Sequence, residues 1–185
     1  MSWIKEIDEA AAEGKLKEIY SEIAGARGKV SNIMKVHSLM PETMRTHLNL
    51  YLSIMFDKNS LSRELKELIA VVVSVCNNCE YCVNHHAVAL NHYWKDDKKI
   101  DDLINDYRSM DLPVKVFAVL SYAEKLTLHP HKIMPADIEN LRMHGYTDEE
   151  ILNINLIVSY FNFVNRIVMG LGVEFSEEEL RGYNY

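Results

Sequence analysis

The sequence predicts an all-α fold: one helical bundle over residues 1–185, organised around a central antiparallel helical hairpin. Three observations carry that prediction. Gly and Pro are scarce, at 7 and 4 residues, so helix-breaking positions are few. Apolar residues recur at helical spacing along nearly the whole chain. The one segment of strand-like composition, Ile69-Ala70-Val71-Val72-Val73-Ser74-Val75, has no second strand to pair with, and an isolated strand leaves its backbone groups unsatisfied. No linker-like tract, low-complexity segment or internal repeat divides the chain, so a single domain is expected, with its core at about residues 41–128.

The elements follow in order. Leu16, Ile19, Tyr20 and Ile23 fall at i, i+3, i+4 and i+7, giving one apolar face to a helix near residues 8–25 that Gly25 and Gly28 break. Pro41 suits the first turn of the next helix, whose stripe is Met44, Leu48, Tyr51, Leu52 and Met55. Asp57-Lys58-Asn59-Ser60 reads as a loop, with Ser60 or Ser62 capping the helix that follows. That helix has a helical flank at Arg63–Leu68 and continues through Ile69–Val75 as a buried helix at the centre of the bundle. Asn77-Asn78 marks a turn, and a new helix opens at or near Cys79. Ile100, Leu103, Ile104 and Tyr107 predict a short helix, and Pro113 starts another through Val114, Phe117, Ala118 and Leu126. Leu128-His129-Pro130-His131 is a connector, and Pro135 starts a helix that stops near Gly145. Thr147-x-x-Glu150 is a capping box that opens a long apolar helix to about Gly170. Ser176-x-x-Glu179 begins a last short turn, whose Glu177-Glu178-Glu179 run the helix dipole favours.

Composition narrows the function. With 20 basic and 27 acidic side chains the net charge is −7, and an acidic surface repels phosphate backbones, which argues against nucleic acid. No apolar run reaches the ~18 residues of a membrane span, and the charged start Ser2–Glu6 is unlike a signal peptide. Three cysteines within seven residues, Cys76, Cys79 and Cys82, are no secreted disulfide framework. In a reducing cytoplasm, the expected compartment, such a cluster points to redox chemistry or metal binding.

The chemistry is concentrated between Glu67 and His86. With Cys79 at a helix start, Cys82 is three residues on and His86 four beyond it, so all three share a face. The helix N-terminus stabilises anions and lowers a thiol pKa. The Glu67 helix runs back antiparallel, so Glu67 lies ~15 Å before the turn and His86 ~10 Å after it, within reach of long side chains or one water. Glu67, His86, Cys82 and Cys79 then form a line of proton transfer followed by thiol exchange. Such a line suits hydroperoxide reduction: a thiolate becomes a sulfenic acid, and its neighbour condenses with it to a disulfide. The dipole favours Cys79 as the activated thiol, whereas the imidazole favours Cys82, and a specific base decides for Cys82. Cys76 reads as a small core residue. Tyr81 and His85 are secondary neighbours of the site, and His92, His129 and His131 lack helix-spaced partners. Cys76-x-x-Cys79-x-x-Cys82-x-x-x-His86 also has the spacing of a metal or iron–sulfur loop, although a helix–turn–helix and bulky Glu80-Tyr81 interrupt it.

The pattern Glu67-x11-Cys79-x2-Cys82-x3-His86 resembles the alkylhydroperoxidase D (AhpD)-like branch of the carboxymuconolactone decarboxylase superfamily. The opening helix, Pro41-Glu42, the thiol hairpin and the ending Asn165-Arg166…Gly170-Leu171-Gly172-Val173-Glu174 extend the likeness to its peroxidase-related group over nearly the full length. The resemblance implies an all-α homo-oligomer, commonly a trimer or hexamer. It also implies a peroxidatic Cys82, a resolving Cys79, and Glu67 and His86 as proton relay. No cofactor beyond the redox-active disulfide is implied. A dithiol or lipoyl-type reductant would complete the cycle. In AhpD the residue before the second cysteine is a histidine, and here it is Tyr81. A general thiol–disulfide oxidoreductase, a redox sensor and a Cys/His metal-binding module are the competing readings.

Overall fold

The computed structural model describes residues 2–57, 61–176 and 179. Among them lie nine α-helices, a few 3-10 turns and no strand, so the fold is all-α. The chain divides into two compact units, Met1–Ser53 with Arg166–Tyr185, and Ile54–Asn165.

The first unit is built on α1 (Gly14–Arg27), which buries Leu16, Ile19, Tyr20 and Ile23. These pack with Val30, with Met34 of α2 (Asn32–Lys35), and with Met44 and Leu48 of α3 (Pro41–Phe56). The sequence pattern gives no sign of α2, because four residues carry too little periodicity to register. α1 runs through Gly25 and stops at Gly28, whose φ of 87° supplies the left-handed turn. Gly25 therefore does not break the helix, since a right-handed glycine costs only propensity. His47 on α3 is buried, its ring 4.9 Å from that of His37. The expected last turn at Ser176–Glu179 lies mostly outside the described residues, as do Glu177 and Glu178. Glu179 itself accepts from the Asn32 backbone and side-chain amides, each at 2.6 Å.

The second unit centres on α4 (Arg63–Cys76). Ser62 caps it, its hydroxyl accepting from the Leu65 N–H at 3.2 Å. The expected loop at Lys58–Ser60, and the alternative cap at Ser60, lie outside the described residues. Every α4 position from Lys66 to Ser74 is buried, which is why the segment reads like a strand: a helix covered on all sides is apolar on all sides. Lys66, Glu67 and Ser74 are the polar exceptions, and the Lys66 amine reaches out to the Asp57 carbonyl at 3.2 Å.

α4 packs against α5 (Glu80–Trp94), α6 (Asp97–Asp106) and α7 (Val114–Leu128). α7 buries Ala118, Val119, Leu120, Tyr122, Ala123 and Thr127, whereas Val114 is 70% and Phe117 37% exposed. Its core face is thus rotated from the expected stripe, because small Ala118 and Ala123 let the helix approach closely. After α8 (Pro135–Met143) and Gly145, the Thr147–Glu150 capping box opens α9 (Asp148–Leu171). Glu150 Oε2 accepts the Thr147 N–H at 2.7 Å, and Thr147 Oγ1 accepts the Glu150 N–H at 3.2 Å.

By length and composition α9 is long and apolar enough to cross a membrane, the one such helix among the described residues, contrary to the expectation that no run reaches that length. Within this unit it buries Ile151, Ile154, Ile157, Val158, Phe161 and Val164 and interleaves Asn153, Asn155, Asn162 and Asn165. That is the pattern of a core helix.

Candidate thiol active site

α4 ends at Cys76, and Asn77 and Asn78 reverse the chain. Asn78 sits in the left-handed region at φ 55°, which Asn adopts more readily than most residues. The Cys79 N–H closes the turn on the Ser74 carbonyl at 2.9 Å, and Cys79 is the N-cap of α5. Cys82 lies one turn into that helix. Cys79 and Cys82 are both buried, Cys76 is half-buried, and all three are thiols.

The two buried sulfurs are electrostatically unequal. The Cys79 sulfur makes no capping hydrogen bond, yet its thiol is shifted down. The Cys82 thiol beside it is the largest cause; burial opposes, and the Cys82 N–H and Asn165 amide add to the shift. Cys82 is shifted well up, first because its proton is held by Cys79, then by burial, with Asn165 opposing. Of two neighbouring sulfurs, the one nearer the helix start better holds a negative charge. The downward shift thus falls on Cys79 and the upward one on Cys82. Cys76 is a different group, pushed up to about 11 by burial and then Glu124, against Arg108. It is a poor nucleophile at neutral pH.

Glu67 and His86 meet across the hairpin. His86 Nδ1 lies 2.6 Å from Glu67 Oε2, and Glu67 is 1% exposed. Arg63, one turn earlier on α4, grips the other carboxylate oxygen with Nε at 2.7 Å and a terminal nitrogen at 2.5 Å. Arg63 is held in turn by the Met55 carbonyl at 3.1 Å and lies 3.7 Å over the Phe56 ring. Burial alone would raise the Glu67 pKa, but His86 and Arg63 outweigh it and hold the carboxyl ionised. An ionised carboxylate only accepts, so the His86 proton sits on Nδ1 and Nε2 is left as the working nitrogen. The Phe161 ring edge, 4.5 Å from the imidazole, walls one side.

His86 makes no direct hydrogen bond to either sulfur among the described residues; its polar partner is Glu67. Proton transfer to Cys82 therefore needs a bridging water or the substrate itself. Tyr81 is buried and stacks on His85 at 4.3 Å, and His85 donates from Nδ1 to the Tyr81 carbonyl at 2.8 Å. His92, His129 and His131 are exposed. Among the described residues no three His, Cys, Asp or Glu side chains gather as a metal site.

Two members of this constellation escape the sequence reading. Arg63 carried a signal, since it stands four residues before Glu67 on one helix face. Asn165 carried a weaker one, an amide within the buried stripe of α9. Its Nδ2 donates to Ser74 Oγ at 3.2 Å, and its Oδ1 accepts from Asn77 Nδ2 at 2.9 Å.

An all-α bundle with a buried Cys-x-x-Cys pair at a helix start, beside a closed Glu–His pair, defines a dithiol protein of the AhpD-like class. Residues 41–125, which hold Arg63, Glu67, the three cysteines and His86, match the model of the carboxymuconolactone decarboxylase family. The chain is 28% identical to the alkylhydroperoxidase AhpD core, an uncharacterised peroxidase-related protein from Ralstonia eutropha JMP134. That alignment covers 97% of this chain and 94% of the other, with a TM-score of 0.86. A second peroxidase-related protein, from Silicibacter sp. TM1040, is 26% identical over 97% of this chain and 91% of its own, with a TM-score of 0.82. The uncharacterised protein YdfG of Bacillus subtilis (strain 168) is 24% identical over 144 residues, 77% of this chain and 96% of that protein. Residues 41–125 thus match the carboxymuconolactone decarboxylase family, and the chain is AhpD-like over nearly its whole length.

Proposed function

We propose that the protein is a thiol-dependent peroxidase that reduces hydroperoxides through a Cys79–Cys82 dithiol–disulfide cycle. The observation that carries this reading is a buried pair of free thiols at a helix start, next to a Glu67–His86 pair closed at 2.6 Å. The peroxidase-related description of the Ralstonia and Silicibacter proteins supports it.

In this reading the Cys82 thiolate attacks one peroxide oxygen. The S–O bond forms from the sulfur electron pair, the O–O bond breaks, and the leaving alkoxide takes a proton to become an alcohol. The sulfur is oxidised to sulfenic acid and the peroxide is reduced. The Cys79 thiolate then attacks that sulfur, an S–S bond forms, and hydroxide leaves and is protonated to water. A dithiol or lipoyl-type reductant returns two electrons and two protons. His86 Nε2 takes the Cys82 proton through a bridging water and returns one to the leaving oxygen, while Glu67 orients the ring and balances its charge. No further cofactor enters the cycle.

Cys82 attacks in this scheme because it stands one turn from His86 and because the family resemblance assigns it that role. The downward shift of the Cys79 thiol favours a second reading, in which Cys79 is the nucleophile of general thiol–disulfide exchange. One experiment separates them: add one equivalent of organic hydroperoxide to the reduced protein, count thiols, and trap sulfenic acid with a dimedone-type probe. Loss of two thiols in the wild type, with labelling of Cys82 in Cys79→Ser, supports the peroxidase. Labelling concentrated on Cys79 in Cys82→Ser supports the second reading, and no loss of thiols removes the first.

A further inference from the structure

The thiol turn has an anchor outside the hairpin. Cys79 is the N-cap of α5, yet its side chain makes no capping hydrogen bond, so the start of that helix is set by the turn before it. Two backbone bonds shape the turn, from the Asn78 N–H to the Val75 carbonyl and from the Cys79 N–H to the Ser74 carbonyl, each at 2.9 Å. Asn77 then ties it to α9. Its Nδ2 donates to Asn162 Oδ1 at 3.1 Å and to Asn165 Oδ1 at 2.9 Å. Asn162 is itself held by donating to the Val158 carbonyl and to Thr127 Oγ1, each at 3.0 Å. A carbonyl only accepts, so Val158 fixes the nitrogen end of Asn162 and with it the direction of the Asn77 bond. Asn165, with zero exposure, donates to Ser74 Oγ at 3.2 Å. One amide of α9 thus grips both Ser74 and Asn77, a single turn apart at the end of α4. Buried amides cost stability unless their bonds are made, and a network in which they are made specifies one geometry.

We propose that Asn77 is a positioning residue of the dithiol site, its two-point clasp on Asn162 and Asn165 holding the turn so that Cys79 can meet Cys82. A disulfide has a narrow geometry. It forms between neighbours in proportion to the time their sulfurs spend in that geometry, which is their effective concentration. Cys82 is fixed inside α5, whereas Cys79 stands at its edge and follows the turn. Once the clasp is lost, Cys79 samples other positions and the bridge becomes less favourable relative to two thiols. The inference rests on the dithiol reading above and adds to it a residue that touches neither the Glu67–His86 pair nor the peroxide.

The test equilibrates the full-length protein with mixtures of oxidised and reduced dithiothreitol, without peroxide. Oxidised dithiothreitol takes two electrons and two protons from Cys79 and Cys82, so its S–S bond breaks as theirs forms. Samples are quenched in acid, free thiols are alkylated, and the Cys79–Cys82 bridge is located by peptide mass. Asn77→Ala removes both bonds of the clasp and is expected to make the bridge about tenfold less favourable, with an unchanged helical circular dichroism spectrum. Asn162→Ala is measured beside it, because it removes one of the two points without altering the turn and so guards against a first variant that fails to fold. A smaller shift in the same direction is expected there. A purely structural amide would lower the urea midpoint and leave the thiol–disulfide equilibrium where it is. A wild-type equilibrium in either folded variant therefore overturns the proposal. Peroxide turnover plays no part in the readout: an unmoved equilibrium with normal peroxide reduction removes Asn77 alone, while a moved equilibrium without peroxide reduction removes only the peroxidase reading.

Discussion

Glu67 has a partner on each oxygen, and that sets what single residues near it are expected to do. His86 takes Oε2 and Arg63 takes Oε1. Removing Arg63 leaves a buried carboxylate with His86 as its one remaining partner, which raises its pKa and lets the side chain turn. Arg63→Ala is therefore expected to slow peroxide-dependent thiol loss about tenfold and to cost about 1–3 kcal/mol in urea unfolding. Arg63→Lys, a point charge without the planar fork, should recover part of both; equal rates in all three proteins would remove Arg63 from the site. Acid sensitivity has a second source. Burial, with His37 beside it, pushes His47 down to about 3, so the folded state keeps it neutral while the unfolded state protonates it. Its contribution is complete above pH ~6.5 and is lost as pH falls toward 3, on the order of a few kcal/mol. Glu67, also shifted down, loses its contribution only below its unfolded value of about 4.3. Urea midpoints should fall between pH 6.5 and 4.5, and His47→Gln should flatten that slope; an unchanged slope rules His47 out. Glu67, Cys79, Cys82 and His86 were legible as chemistry because their spacing alone puts them on facing helices. Asn165 was not, because its meaning comes from contacts with Ser74 and Asn77, nearly ninety residues away.

At the scale of elements, the α4–α5 hairpin depends on one exposed residue, Asn78, at φ 55°. β-branched residues do not tolerate that conformation, so Asn78→Val is expected to cost about 1–2 kcal/mol. Because the turn also sets the separation of Ser74 from Cys79, it should slow alkylation of the buried thiols. Asn78→Gly should leave both close to wild type, and a well-tolerated valine would mean the turn has another stable form. The hairpin was readable because Asn77-Asn78 interrupts a long apolar run, and the capping box of α9 because its two residues reach each other within one turn. What stayed hidden has physical reasons. α2 is too short for periodicity, and the buried face of α7 is chosen by the partner helix rather than by the first apolar residues after Pro113. α9 was legible as one long helix, but its membrane-like mean hydropathy was not, because asparagines interrupt the apolar run.

The whole molecule raises the question of self-association. The apolar run Ile69–Val75 gives no reason for it, because Ile69, Val71, Val72 and Val73 are all 2% exposed or less within one chain. The exposed apolar surface lies elsewhere. Leu152, Leu156 and Phe163 of α9 are 59, 40 and 47% exposed, and at i, i+4 and i+11 they share one helix face, with Ser159 between them. Contiguous apolar faces rimmed by polar residues mark interaction surfaces, and the family resemblance implies trimers or hexamers. The net charge of −7 opposes assembly of identical chains, so contact has to come from apolar burial and should strengthen with salt, which screens the repulsion within about 10 Å at 0.1 M. Light scattering at micromolar concentration is expected to give a multiple of 21.4 kDa, rising or holding as salt is added. Leu156→Glu with Phe163→Glu should return the protein to one chain while leaving Cys79 and Cys82 alkylation unchanged, because neither side chain belongs to the thiol site. A wild-type mass of one chain at all salt concentrations would refute self-association. An oligomer that survives the double substitution would instead move the interface off this face of α9.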